Sequence, residues 1–120
     1  MSGTHGSHWL EREDQGKVTV VRFKTPKILD EETVREVFDP IYTIVGIGRN
    51  QLVLNLAVVE YLPSMALGKL VMLNRKVEAA NGRLALCHLT PAVQEVLETT
   101  HLNTLFNIYA TEQAALQYFS

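Results

Sequence analysis

Leu52-Val53-Leu54-Asn55-Leu56, the stretch Met65 to Ala80, and Arg83-Leu84-Ala85-Leu86-Cys87 together carry the information that settles the architecture. The first run is apolar almost without interruption, as in strands covered on both faces, and predicts a central strand. In the second, Ala66, Leu70, Leu73 and Val77 recur at spacings of four, three and four, flanked by Leu67 and Val71. Lys69, Arg75, Lys76 and Glu78 occupy the other side, so this segment reads as an amphipathic helix lying on a sheet. Asn81-Gly82 supplies a left-handed stop, and the third run returns as a strand. Strand, helix and strand of these lengths form a right-handed crossover, which predicts a parallel sheet.

Working upstream, Trp9 to Arg12 and Lys17 to Phe23 read as a hairpin turning at Asp14-Gln15-Gly16. Asp30 is placed to cap a helix with Glu31 and Glu32 in its first turn and Val34, Val37, Phe38, Ile41, Ile44 and Val45 on one face. That position explains the only dense carboxylate group through the helix dipole. Pro40 removes a donor and crowds the preceding turn, so a kink or local break is expected there. Gly46-Ile47-Gly48 lacks the third glycine of a dinucleotide fingerprint and runs from helix to strand, the wrong order, so it reads as a helix-ending loop.

Downstream, Thr90-Pro91 opens a helix through Val93, Val96 and Leu97, continued by the Thr100-His101 turn. Leu105 to Tyr109 offers a short strand, and Thr111 caps a last helix whose Ala114, Ala115, Tyr118 and Phe119 can pack on the core. The order β-β-α-β-α-β-α-β-α predicts an α/β fold with a mixed central sheet of four to five strands and about four helices. Residues 1–8, rich in Gly, Ser, Thr and His, read as a flexible lead-in, and residues 9–120 as a single domain.

Bulk properties narrow the function. Eleven basic and thirteen acidic residues, net −2, are scattered along the chain, without the basic stripe that nucleic acid requires. Neither the longest apolar runs nor the N-terminus looks like a membrane span or leader, so a cytoplasmic protein without a membrane partner is expected. Cys87, the single cysteine, lies in an apolar run and reads as core packing. His5 and His8 lack a third ligand, and neither metal nor cofactor is expected.

The segment Val59-Glu60-Tyr61-Leu62-Pro63-Ser64-Met65-Ala66-Leu67-Gly68-Lys69-Leu70, entered from the buried strand, resembles the STAS family, in particular its anti-sigma-factor antagonists. There a strand leads through an Asp-Ser-Ser-Gly-type turn into a helix beginning Leu-Gly. The runs Ala79 to Cys87, Thr90 to Val93, His101 to Tyr109 and Glu112 to Leu116 are similar to the rest of that family's domain. The resemblance implies a non-enzymatic, phosphorylation-controlled binder. Unphosphorylated, it engages an anti-sigma factor, typically a serine kinase, and frees a sigma factor; phosphorylation ends that engagement, and a phosphatase is a further partner it allows.

On this alignment Ser64 is the phosphoacceptor, and Pro63, Ser64, Met65, Ala66 and Lys69 form the partner-binding set. Locally, Ser64 also reads as the N-cap of its helix. A phosphate there adds about −1.5 to −2 charges beside free N–H groups of the first turn. The sequence departs from the pattern: Pro63 replaces an acidic residue, Met65 a second serine and Ala66 a glycine. A STAS scaffold that binds without phosphate control is therefore the alternative. Hydrolase chemistry would need His88 or His101 as a base for Ser64, but no Gly-x-Ser-x-Gly turn is present.

Overall fold

The computed structural model describes residues 4–6 and 8–119. In chain order they form β1 (Thr4–Gly6), β2 (Leu10–Gln15), β3 (Val18–Phe23), α1 (Glu31–Gly46), β4 (Gln51–Asn55), α2 (Ser64–Ala79), β5 (Arg83–Cys87), α3 (Pro91–Thr99), a 3-10 turn (Leu102–Thr104), β6 (Asn107–Tyr109) and α4 (Glu112–Tyr118). The strands make one mixed sheet in the order β1-β2-β3-β4-β5-β6. β2 pairs antiparallel with both β1 and β3, and β3, β4, β5 and β6 run parallel. The α/β class and the parallel crossovers are as the sequence predicts, with β1 added at one edge.

β4 is covered on both sides, which explains its unbroken apolar run. Leu52 and Leu54 face the main core with Val21, Phe23, Leu84 and Leu86, beneath Phe38 and Ile41 of α1 and Leu70 and Leu73 of α2. Val53 faces the other way, joining Val20, Ala85, Cys87 and Ala115 of α4 in a smaller core edged by Tyr109, Tyr118 and Phe119. Cys87 is fully buried there, and burial, with the nearby Glu112 carboxylate, pushes its thiol up to about 12. It is a packing residue rather than a nucleophile.

Three local expectations are revised. The hairpin turns at Gly16-Lys17 rather than at residues 14–16, because a two-residue turn needs a positive φ and Gly16 supplies it at 62°. α1 runs through Pro40 without a break: Pro40 is exposed, while Val37, Phe38, Ile41 and Ile44 around it are buried. Full burial of such side chains is worth about 1.5–3 kcal/mol each, against about 3 kcal/mol for one interior proline. The last strand begins at Asn107, because the 3-10 turn occupies residues 102–104. Asp30, Thr90 and Thr111 each accept a hydrogen bond from a backbone N–H three residues on, as their cap roles require. Of the lead-in, residues 1–3 and 7 lie outside the described residues.

Candidate functional site

The connection from β4 to α2, residues 56–63, is fastened at each step. Leu56 N–H donates to the Cys87 carbonyl at 3.1 Å, and Ala57 N–H to Asn55 Oδ1 at 2.9 Å. Glu60 N–H donates to the Pro26 carbonyl at 2.7 Å, and Tyr61 bridges Lys27 in parallel. The Thr90 hydroxyl donates to the Val59 carbonyl at 2.7 Å while accepting from Val93 N–H. Leu56, Val59 and Leu62 are buried, leaving Val58 and Tyr61 outward. With Met65, and Leu29 on the neighbouring segment bridged through Lys27, they give the end of the sheet an exposed apolar rim.

Because Thr90 serves two elements, Thr90→Val should cost about 1–2 kcal/mol, a lost cap plus a lost tether. Urea denaturation measures the loss. Hydrogen exchange should quicken in residues 57–61 as well as in the first turn of α3; an effect confined to α3 would mean that the Val59 contact contributes nothing.

Ser64 is the first residue of α2 and is exposed. It is not the cap: Pro63, extended at φ −72° and ψ 164°, holds that position and has no side-chain donor or acceptor to fill it. A serine before an apolar helix favours the cap reading, but the helix starts one residue earlier. Ala66 and Leu67 N–H groups turn back to the Pro63 carbonyl, so the outermost N–H groups, those of Ser64 and Met65, are the ones left facing outward at a helix end. The first turn contains no acidic residue.

Of the expected partner-binding residues, Ser64 and Met65 are exposed, and Pro63 and Lys69 are half-buried. Ala66 is 0% exposed and packs in the main core, so it has no surface to offer. Where the family pattern has glycine, alanine fits because its methyl points inward. Val58, Tyr61 and Leu29 were absent from the expected set. Their exposure follows from how the loop is fastened, which local sequence does not reveal.

Behind this rim lies a polar cluster joining three strand ends to α4. The Arg22 guanidinium grips Glu112 with two bonds, 2.7 and 2.8 Å, and also meets Glu11 at 2.7 Å and Glu13 at 2.9 Å. Asn55 Nδ2 donates to Glu112 Oε2 at 2.7 Å. The Arg22 hydrogen bonds, with help from Asn55, hold the Glu112 carboxyl below the usual carboxylate range. His88, at φ 54°, accepts the Glu112 N–H through Nε2 at 3.0 Å, while His101 is exposed at φ 61°. Among the described residues neither histidine is hydrogen-bonded to Ser64, so no nucleophile and base are paired.

The arrangement is that of a small α/β domain whose central strand delivers a serine, at the mouth of a helix, to an apolar rim. Residues 10–115 match the sequence model of the STAS domain, and the chain belongs to that family. It is 29% identical over 72 residues to BtrV of Bordetella bronchiseptica, provisionally named an anti-sigma factor antagonist; the alignment covers 60% of this chain and 62% of that protein. The solved anti-sigma-factor antagonist (STAS) domain protein of Planctomyces limnophilus superposes with a TM-score of 0.82 at 25% identity, covering 92% of this chain and 98% of that one. The phosphorylated form of the Bacillus cell fate determinant SpoIIAA shares the fold, with a TM-score of 0.71 at 22% identity over 92% of this chain and 99% of its own. No helix among the described residues is long and apolar enough to cross a membrane.

Proposed function

We propose that this chain is an anti-sigma factor antagonist. It binds an anti-sigma factor with serine-kinase activity through the rim around Ser64, without performing chemistry of its own, and is released when that kinase phosphorylates Ser64. The reading rests on one observation above others: an exposed serine opens a sixteen-residue helix amid exposed Val58, Tyr61 and Met65. The helix end accommodates the modification, because outward N–H groups and the dipole favour an anion there. The partner surface does not, because about −1.5 to −2 charges would have to be desolvated against apolar side chains.

The test is the intact mass of the protein after incubation with ATP and the anti-sigma kinases of its host, together with pulldown of those kinases. Wild type should gain one phosphate and Ser64→Ala none. Ser64→Asp should lose kinase capture by about tenfold or more, while Ser64→Ala retains it.

A second reading keeps the binding and drops the switch. Pro63 at the cap position, with no acidic residue in the first turn, favours it, because a kinase that reads an acidic neighbour of its serine finds none. A stable partner captured equally by wild type and Ser64→Asp, with no phosphate gained, would establish this scaffold role instead.

A further inference from the structure

The outer face of α2 carries more than the Ser64 rim uses. Met65, Lys69, Met72 and Lys76 follow one another at spacings of four, three and four, so they form a single stripe along the helix. Met65 is 46% exposed and Met72 50% exposed, a large apolar display for one helix. Both lysines lean over Tyr42 of α1, with Nζ 5.4 Å from the ring centroid for Lys69 and 6.0 Å for Lys76. The Tyr42 hydroxyl donates to the Lys69 carbonyl at 2.7 Å, which fixes the ring beneath the two ammonium groups. Among the described residues neither lysine is ion-paired, and burial, with the field of Asp39 one turn before it, raises the Tyr42 pKa. Below them a groove of about 390 Å³ opens between the helices, lined by Tyr42, Val45, Gly46, Lys76, Ala79 and Ala80.

We infer that this α1–α2 groove is a second docking surface, and that its occupant is an acidic amphipathic helix of a partner protein. The charges and spacing specify that chemistry. Lys69 and Lys76 leave the helix about 10 Å apart along its axis, the span between residues seven apart on another helix, and their ammonium groups converge over Tyr42 as one positive site for that helix's carboxylates. Between them Met72 offers a deformable apolar contact suited to the partner's leucine-type face. The small residues Gly46, Ala79 and Ala80 leave room for a helix to lie in the groove, as in helix-in-groove recognition generally. The chain as a whole is net −2, so the cationic stripe is a local feature rather than a reflection of composition. This surface extends the reading of the chain as a binder but does not depend on phosphorylation of Ser64.

The experiment uses the full chain labelled with ¹³C at its methionine methyls and a stapled helical peptide of about 18 residues carrying glutamates seven apart with leucines between. A control peptide has lysines in place of those glutamates. The glutamate peptide should shift the Met72 methyl and Tyr42 ring signals saturably, and more weakly at high salt. Lys69→Glu with Lys76→Glu should reduce its affinity by about tenfold or more and transfer the preference to the lysine peptide. An unchanged circular dichroism spectrum shows that the doubly substituted chain is folded. Ser64→Asp should leave binding unaltered, which separates this proposal from the Ser64 reading. The inference is overturned if the two peptides bind wild type alike, if no saturable shift occurs, or if shifts are confined to Met65 and residues 57–63. It is equally overturned if the Met72 signal moves with protein concentration alone, which would make a second copy the occupant.

Discussion

Gly82→Ala should destabilise the domain by about 3 kcal/mol, the upper part of the range for forcing extra volume into a packed site. Gly82 does not take a positive φ; the left-handed residue that stops α2 is Asn81, at 61°. Glycine is needed at position 82 for closeness. A methyl there would overlap the Asn50 carbonyl oxygen and lie 2.6 Å from Asn50 Cβ and 2.8 Å from its carbonyl carbon. That carbonyl cannot simply withdraw, because it accepts Arg83 N–H at 2.9 Å where β4 and β5 begin to pair, and Asn50 Nδ2 donates to the Ala80 carbonyl at 2.6 Å. The clash is with backbone, so repacking of side chains cannot relieve it. Guanidinium denaturation of the variant measures the loss. Gly68→Ala is the control: its added methyl meets nothing within 4 Å on the exposed side of α2, and it should stabilise by about 0.5–1 kcal/mol. If Gly82→Ala behaves like Gly68→Ala, the close approach of the two chain segments is not what glycine serves.

Gly82 also illustrates how far the sequence can be read. Asn-Gly after an amphipathic helix announces a stop, and a stop is present, but which residue turns and which yields space depends on Asn50, a distant position. The parallel strands were legible because Leu52 to Leu54 and Leu84 to Cys87 are apolar at every position, a pattern that only two-sided burial produces. The caps at Asp30, Thr90 and Thr111 were legible because a single side chain and its own helix suffice for them. Ser64 was legible as a position and misread in role, since moving a helix start by one residue converts a cap into an exposed first-turn hydroxyl. Pro40 misled in the opposite direction: its local preference is real, and burial of Phe38, Ile41 and Ile44 outweighs it. The apolar rim could not be read at all, because Val58 and Tyr61 face outward only once Glu60 is bonded to Pro26 and Val59 to Thr90.

Ninety residues separate Arg22 from Glu112, and the second large effect is expected there. α4 has seven residues and one fully buried side chain, Ala115, too little apolar contact to hold it on the sheet unaided. Its Glu112 carboxylate, only 20% exposed, accepts both Arg22 bonds and the Asn55 bond, while its N–H reaches His88. Glu112→Ala should therefore cost about 2–3 kcal/mol, the range for losing charge-assisted hydrogen bonds and leaving the Asn55 Nδ2 donor without its acceptor, moderated because Arg22 keeps Glu11 and Glu13. Exchange in α4 and the ring signals of Tyr109 and Tyr118, whose centroids lie 5.4 Å apart at a 38° tilt, should report its loosening before global unfolding. The carboxylate also sets a pH dependence. Its folded-state pKa lies below the unfolded value of about 4.3, so its contribution is complete above roughly pH 5 and is lost as acid takes the pH down through the folded value. Glu112→Gln removes that titration while keeping the shape, so its stability should fall less steeply than wild type's between about pH 5 and 3. Parallel acid profiles for the two proteins would show that Arg22 and Glu112 do not act as a pair, and the anchoring of α4 would then have to come from its aromatic edge alone.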